Sequence, residues 1–127
     1  MAFIIAGLFA SLMAWILNRY VFVNIGQKGV VFFGPMTEEF LKTSLALIFS
    51  TSIIFTHITF GLVEAIVDYK NTRKSSGAMV SLASHAFLGI ITYVLFILLG
   101  SIYIALLIAI IVHMTWNKFV MDIVAVK

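Results

Sequence analysis

Five long stretches of apolar residues, interrupted by only a few polar groups, leave this chain little choice of fold. Each stretch is close to the ~20 residues that a helix needs to cross about 30 Å of hydrocarbon. Of the 127 residues, 63% are hydrophobic and only 10% are charged. A soluble domain carries roughly 25% charged residues, so a water-soluble fold is all but excluded. The expected fold class is an all-α integral membrane protein, with about five transmembrane helices in one bundle and a single domain over 1–127. There is no Cys, which rules out disulfides, Cys-based zinc sites and thiol nucleophiles. Without a soluble basic surface or interleaved aromatic and basic residues, nucleic-acid binding has no support.

The first apolar run starts at residue 2 and is followed by Arg19. A secretory signal would carry its positive charge before the run, so a first helix is expected over about 2–23. Asn24 to Gly29 reads as a loop from its Gly and polar content. Val30 to Phe33 is expected to enter the membrane as broken chain, with Pro35 at the first position of a second helix that reaches about Ser50. A tight Ser/Thr turn separates it from a third helix, about Thr51–Tyr69. The polar run Lys70 to Ser76 reads as a loop before a fourth helix, about Gly77–Leu99. A fifth spans about Ser101–Ile123, hinged at Gly100.

Five spans put Arg19, Lys28, Lys70, Arg73, Lys74, Lys118 and Lys127 on one side of the bilayer. The positive-inside rule then predicts the N-terminus outside and the C-terminus cytoplasmic. The expected location is the cell membrane of a prokaryote.

Against this background Glu38, Glu39, Glu64, His85 and His113 are out of place. An ionisable group at membrane depth costs at least ~2.5–3.5 kcal/mol and marks a functional site by default. At ~1.5 Å rise per residue, Glu38 and Glu39 are expected roughly 5 Å in from the cytoplasmic helix ends, Glu64 roughly 8 Å, His85 roughly 12 Å and His113 roughly 15 Å. All fall in one slab of the cytoplasmic half. His113 and Asn117 are i,i+4 and share a helix face, as do Glu38 and Lys42, and Glu64 and Asp68. An imidazole and an amide one turn apart suit the stabilisation of an oxyanion. His57, on the far part of helix three, has no matching partner and reads as structural or interfacial.

The motifs that these residues form resemble those of the PrsW-type intramembrane proteases, relatives of the CAAX prenyl endopeptidase superfamily. Glu38-Glu39-Phe40-Leu41-Lys42 stands for Glu-Glu-x-x-Lys and Phe60-Gly61-Leu62-Val63-Glu64 for Phe-x-x-x-Glu. Ser84-His85 with Gly89 follows on helix four, and His113-Met114-Thr115-Trp116-Asn117 gives His-x-x-x-Asn. Four such motifs in order cover about residues 30–120. The resemblance implies a membrane-embedded peptidase that uses both Glu of the pair, Glu64 and both His. Two features depart from it. The chain is short for such a family, and Glu64 stands where the CAAX branch has His, so prenylated substrates are disfavoured.

Peptide hydrolysis needs a base for water, an oxyanion stabiliser and an acid for the leaving amine. Glu38 or Glu39 is expected as the base. His85 shares that proton or protonates the leaving group, and His113 with Asn117 stabilises the oxyanion. Glu64 orients a His or completes a metal site. Glu and His are ligand types for a divalent metal such as zinc, yet no His-Glu-x-x-His motif is present and the ligands are scattered, so both metal-dependent and metal-free chemistry stand. Less specific roles exist for each residue: a helix-capping Glu pair, Glu64 as ion-pair partner of Lys42, or a lone His as interhelical donor. The expected partners are the lipid bilayer and a membrane protein or peptide substrate, with a homo-oligomer or partner subunit also open. A second class also fits, a small oligomeric proton- or cation-coupled transporter. Against it, the polar residues stop in one half of the membrane.

Overall fold

A computed structural model describes residues 1–125; Val126 and Lys127, the latter counted above among the basic residues, lie outside the described residues. The described residues form five helices, α1 (Ala2–Ile25), α2 (Gln27–Ile48), α3 (Ile53–Thr72), α4 (Ser75–Leu99) and α5 (Ile102–Ala125). Three are long and apolar enough to span a membrane: Ala2–Ile25, Ser75–Leu99 and Ile102–Asp122. The other two, α2 and α3, carry most of the internal ionisable residues.

Three expected loops are corrected. Asn24 and Ile25 finish α1, and a single residue, Gly26 at φ 83°, turns the chain into α2. Only glycine holds such a backbone without strain. Val30 to Phe33 is helical, and Pro35 lies inside α2 and not at its start. The Pro ring leaves the Val31 carbonyl without its usual N–H donor. Two residues after Pro35, the Thr37 hydroxyl bonds back to the carbonyls of Phe33 (3.1 Å) and Gly34 (2.9 Å). The polar run after Tyr69 is also mostly helical: α3 continues to Thr72, Arg73 turns at φ 58°, and α4 begins at Ser75. The Ser/Thr turn between α2 and α3 is as expected, with the Ser52 hydroxyl capping α3 by accepting from the Phe55 N–H. Gly100, at φ 63°, ends α4.

These boundaries move the ionisable residues deeper. Because α2 starts at Gln27, Glu38 lies eleven residues in, and ~1.5 Å per residue puts it ~16 Å from that end. By the same rise Glu64 is ~12 Å from the end of α3, His85 ~15 Å into α4 and His113 ~18 Å from the end of α5. The group therefore sits near the mid-length of the helices, not in a shallow slab.

Helix α2 packs on α1, α3 and α5, while α3 also packs on α1 and α4. The seam between α1 and its neighbours is built from Ala6, Ala10 and Ala14 against Leu45 and Phe60. Small side chains at such seams let backbones approach closely where hydrophobic burial gives no driving force. Large apolar residues such as Ile5, Trp15, Phe87, Leu98 and Tyr103 face outward, a surface far more apolar than a monomer in water tolerates.

Candidate active site

The most extensive helix contact, between α3 and α4, is an exchange of His for Gly. A Cβ on Gly61 would lie 2.7 Å from the Cβ of His85, and a Cβ on Gly89 would lie 2.7 Å from that of His57. Each helix carries His and Gly four residues apart, so each imidazole is seated on the bare backbone of the other helix.

From this seam a hydrogen-bonded chain crosses four helices. Lys42 Nζ donates to Glu39 Oε1 at 2.5 Å and stands 3.0 Å from His85 Nδ1. A third face of the ammonium meets the Phe60 ring, 4.6 Å from its centroid. On its other side Glu39 Oε1 lies 2.8 Å from His113 Nδ1, and His85 Nε2 bonds Glu64 Oε2. Glu39 and Lys42 are wholly buried, and His85 and His113 nearly so.

The sense of each bond follows from what each group can do. An ammonium has donors only, so His85 Nδ1 accepts and the ring proton sits on Nε2, where it is donated to Glu64. A carboxylate only accepts, so His113 Nδ1 carries the proton for Glu39, and His113 Nε2 keeps a free lone pair. The two imidazoles are thus held in opposite tautomers, assigned from the network.

Both imidazoles border one cavity of about 260 Å³, lined by Glu38, Glu64, His85, His113 and Asn117 together with Asp68, Ser81 and Trp116. The Glu38 Oε2 atom is 3.8 Å from His113 Nε2. Five of the six expected site residues therefore converge. The sixth, Glu39, does not line the cavity; it stands behind it, tying Lys42 to His113.

Two residues outside the expected site stand beside it. Asn18 Nδ2, on α1, donates to Glu38 Oε1 at 2.8 Å. It sits at the end of the first apolar run, and an amide beside Arg19 looks like a helix end. His57, read from sequence as structural or interfacial, is wholly buried with Nδ1 3.6 Å from Glu39 Oε2, and neither ring nitrogen makes a hydrogen bond among the described residues. Its signal was its spacing, since His57, Gly61, Glu64 and Asp68 recur at three to four residues along one face of α3.

Glu38, His85 and His113 also bring one potential ligand atom each within 4.8 Å of one another. Glu38 and His113 fit a metal ion well, because a His that donates its other nitrogen to a carboxylate is a well-oriented ligand. His85 does not fit. Its cavity-facing Nε2 holds the proton that Lys42 excludes from Nδ1, so it has no lone pair to give.

Fold and site together define an all-helical protein with three helices long and apolar enough to span a membrane and a Glu/His/Lys network beside a cavity. No protein-family model, curated protein or solved structure matches the chain.

Proposed function

We propose that this chain is a membrane-embedded, Glu/His-dependent peptidase of the PrsW type that its motifs resemble, hydrolysing membrane-associated or transmembrane polypeptides. In this reading all five helices cross the bilayer. At 22 and 20 residues α2 and α3 are long enough, and their costly groups Glu39, Lys42 and His57 are wholly buried against neighbouring helices. The N-terminus lies outside and the basic loops lie in the cytoplasm.

The observation that carries the proposal is the division of the cavity into acceptors and donors. Glu38 Oε2 and His113 Nε2, 3.8 Å apart, are two acceptors for the two hydrogens of one water. The water oxygen attacks the peptide carbonyl carbon as Glu38 takes its proton. The oxyanion that forms needs donors; the amide of Asn117 is one on the cavity wall, and the Nε2–H of His85 becomes a second when the oxyanion displaces Glu64 from it. When the intermediate collapses, the C–N bond breaks and Glu38 returns its proton to the departing amine. His85 and His113 thus trade the roles expected from the motifs, because Lys42 and Glu39 fix their tautomers. Glu38 acts as the base, with its other oxygen held by Asn18. Glu39 is a positioning residue.

The test is incubation of the reconstituted protein with single-span peptides, reading new termini by mass spectrometry. Fragments made by the wild type and lost in His113→Ala and Glu38→Gln support the proposal. Fragments that persist in both variants remove it.

One observation favours proton- or cation-coupled transport as the second reading. With His57 beside Glu39, the ionisable groups of α3 run from the half-buried Asp68 and Glu64 to the wholly buried His57, within four residues of each helix end. The polar path is longer than the one-sided slab expected from sequence. Proton flux in the same vesicles, abolished by His57→Phe, is the outcome that would favour this reading.

A further inference from the structure

The donor that spoils the cluster as a metal site is a single side chain. We propose that Lys42 keeps Glu38, His85 and His113 free of divalent transition metals, and that removing its ammonium uncovers a zinc-type site on those three residues.

Most of the cluster favours a cation. Two buried carboxylates, those of Glu38 and Glu39, share the interior with one ammonium, with the half-buried Glu64 at its edge, and uncompensated buried charge draws a partner. The ligand atoms already converge within 4.8 Å from α2, α4 and α5. Two imidazoles and one carboxylate are a set of three protein ligands that leaves zinc's fourth position to water. Glu39 supplies the carboxylate behind His113 that orients a metal-bound His.

Lys42 opposes all of this in two ways. Its positive charge stands one imidazole ring away from the point where the ion would bind. It also occupies His85 Nδ1 at 3.0 Å, and a neutral imidazole with an accepting Nδ1 has its proton on Nε2, the atom that a metal would need. The ammonium cannot easily turn aside, because Glu39 Oε1 at 2.5 Å, His85 Nδ1 and the Phe60 ring fix its three faces. Without Lys42 the Nδ1 of His85 is free to take the proton, so an ion at Nε2 has to displace only the hydrogen bond to Glu64. Under the hydrolytic reading above, on which the natural role of this device rests, water is activated by Glu38 and His113 alone and activity is independent of metal supply.

The test uses the full chain in detergent, titrated with Co²⁺, whose visible absorption reports a tetrahedral N/O site. Wild type is expected to show no such band at stoichiometric Co²⁺, and Lys42→Met to bind one ion about 10–100-fold more tightly, the range that outer-shell partners control. The band is expected to disappear in Lys42→Met with His113→Ala. Equal binding by wild type and Lys42→Met overturns the proposal. Should Lys42→Met not fold, the ¹⁵N spectrum of His85 in the wild type decides. A proton on Nε2 upholds the assignment, and a proton on Nδ1 overturns it. Neither readout involves proteolysis, so failure to cleave any peptide removes the hydrolase reading and leaves the metal assignment standing, while wild-type Co²⁺ binding does the reverse.

Discussion

His85 rests directly on the backbone of Gly61: a methyl group at that glycine would come within 2.7 Å of the His85 Cβ. The residue that faces the cavity from α4 is therefore positioned by the absence of a side chain on α3. Glu64, its hydrogen-bond partner, lies three residues further along the same helix.

Gly61→Ala is expected to push α4 away from α3. Overpacking of this kind costs about 1–3 kcal/mol, read as a lower midpoint of unfolding in mixed detergent, and peptide cleavage is expected to fall with it. A variant as stable and active as wild type would show that the contact is not needed.

The two neighbouring glutamates are expected to fail differently. Glu39→Gln leaves the wholly buried Lys42 without its carboxylate, and breaking a buried pair from one side costs about 3–5 kcal/mol. Glu38→Gln keeps the fold and removes the base. Unfolding midpoints and cleavage rates measured side by side check this, and equal destabilisation by both substitutions would contradict it.

Asn18→Ala frees one oxygen of Glu38 without touching the cavity wall. Catalytic groups displaced by about 1 Å lose on the order of 10²-fold in rate, so kcat is expected to fall by up to that factor with KM nearly unchanged. A KM effect alone would assign Asn18 to substrate binding.

His57→Phe replaces a buried imidazole that has no hydrogen-bond partner on either ring nitrogen among the described residues. Removing unsatisfied polar atoms while keeping the shape is nearly neutral or stabilising, since each such group costs about 1–3 kcal/mol when left alone. The unfolding midpoint is expected to stay level or rise, with cleavage retained; a marked drop would show that the imidazole holds an internal partner.

Chelation is expected to leave cleavage unchanged in the wild type. A rate that falls with chelator and returns with added zinc would place a metal in the mechanism.

The apolar runs fixed the number of helices and, to within a few residues, the turns at Ser50 and Gly100, because a backbone in lipid must close its own hydrogen bonds. The motif residues Glu38, Glu64, His85, His113 and Asn117 were legible for the same reason, as polar side chains standing where apolar ones cost less. Local rules failed where they competed with helix continuity. Pro35 signalled a helix start, yet α2 runs through it; Gln27 to Phe33 and Lys70 to Thr72 read as loop and are helical. In each case propensity was outweighed by the gain from completing the helix and its contacts.

What the sequence determined alone is therefore the class of structure and the identity of the groups that must be shielded from lipid. What only the tertiary structure decided is who faces whom. No spacing along the chain could tell Glu38, open to the cavity, from Glu39, turned toward Lys42, since one residue rotates a helical side chain by about 100° and the neighbours choose the result. Nor could it bring Asn18 to Glu38 across twenty residues, seat His57 against Glu39, or set the two imidazoles in opposite tautomers. Those depend on which donor or acceptor the neighbouring helix presents, and that is settled only when the helices pack.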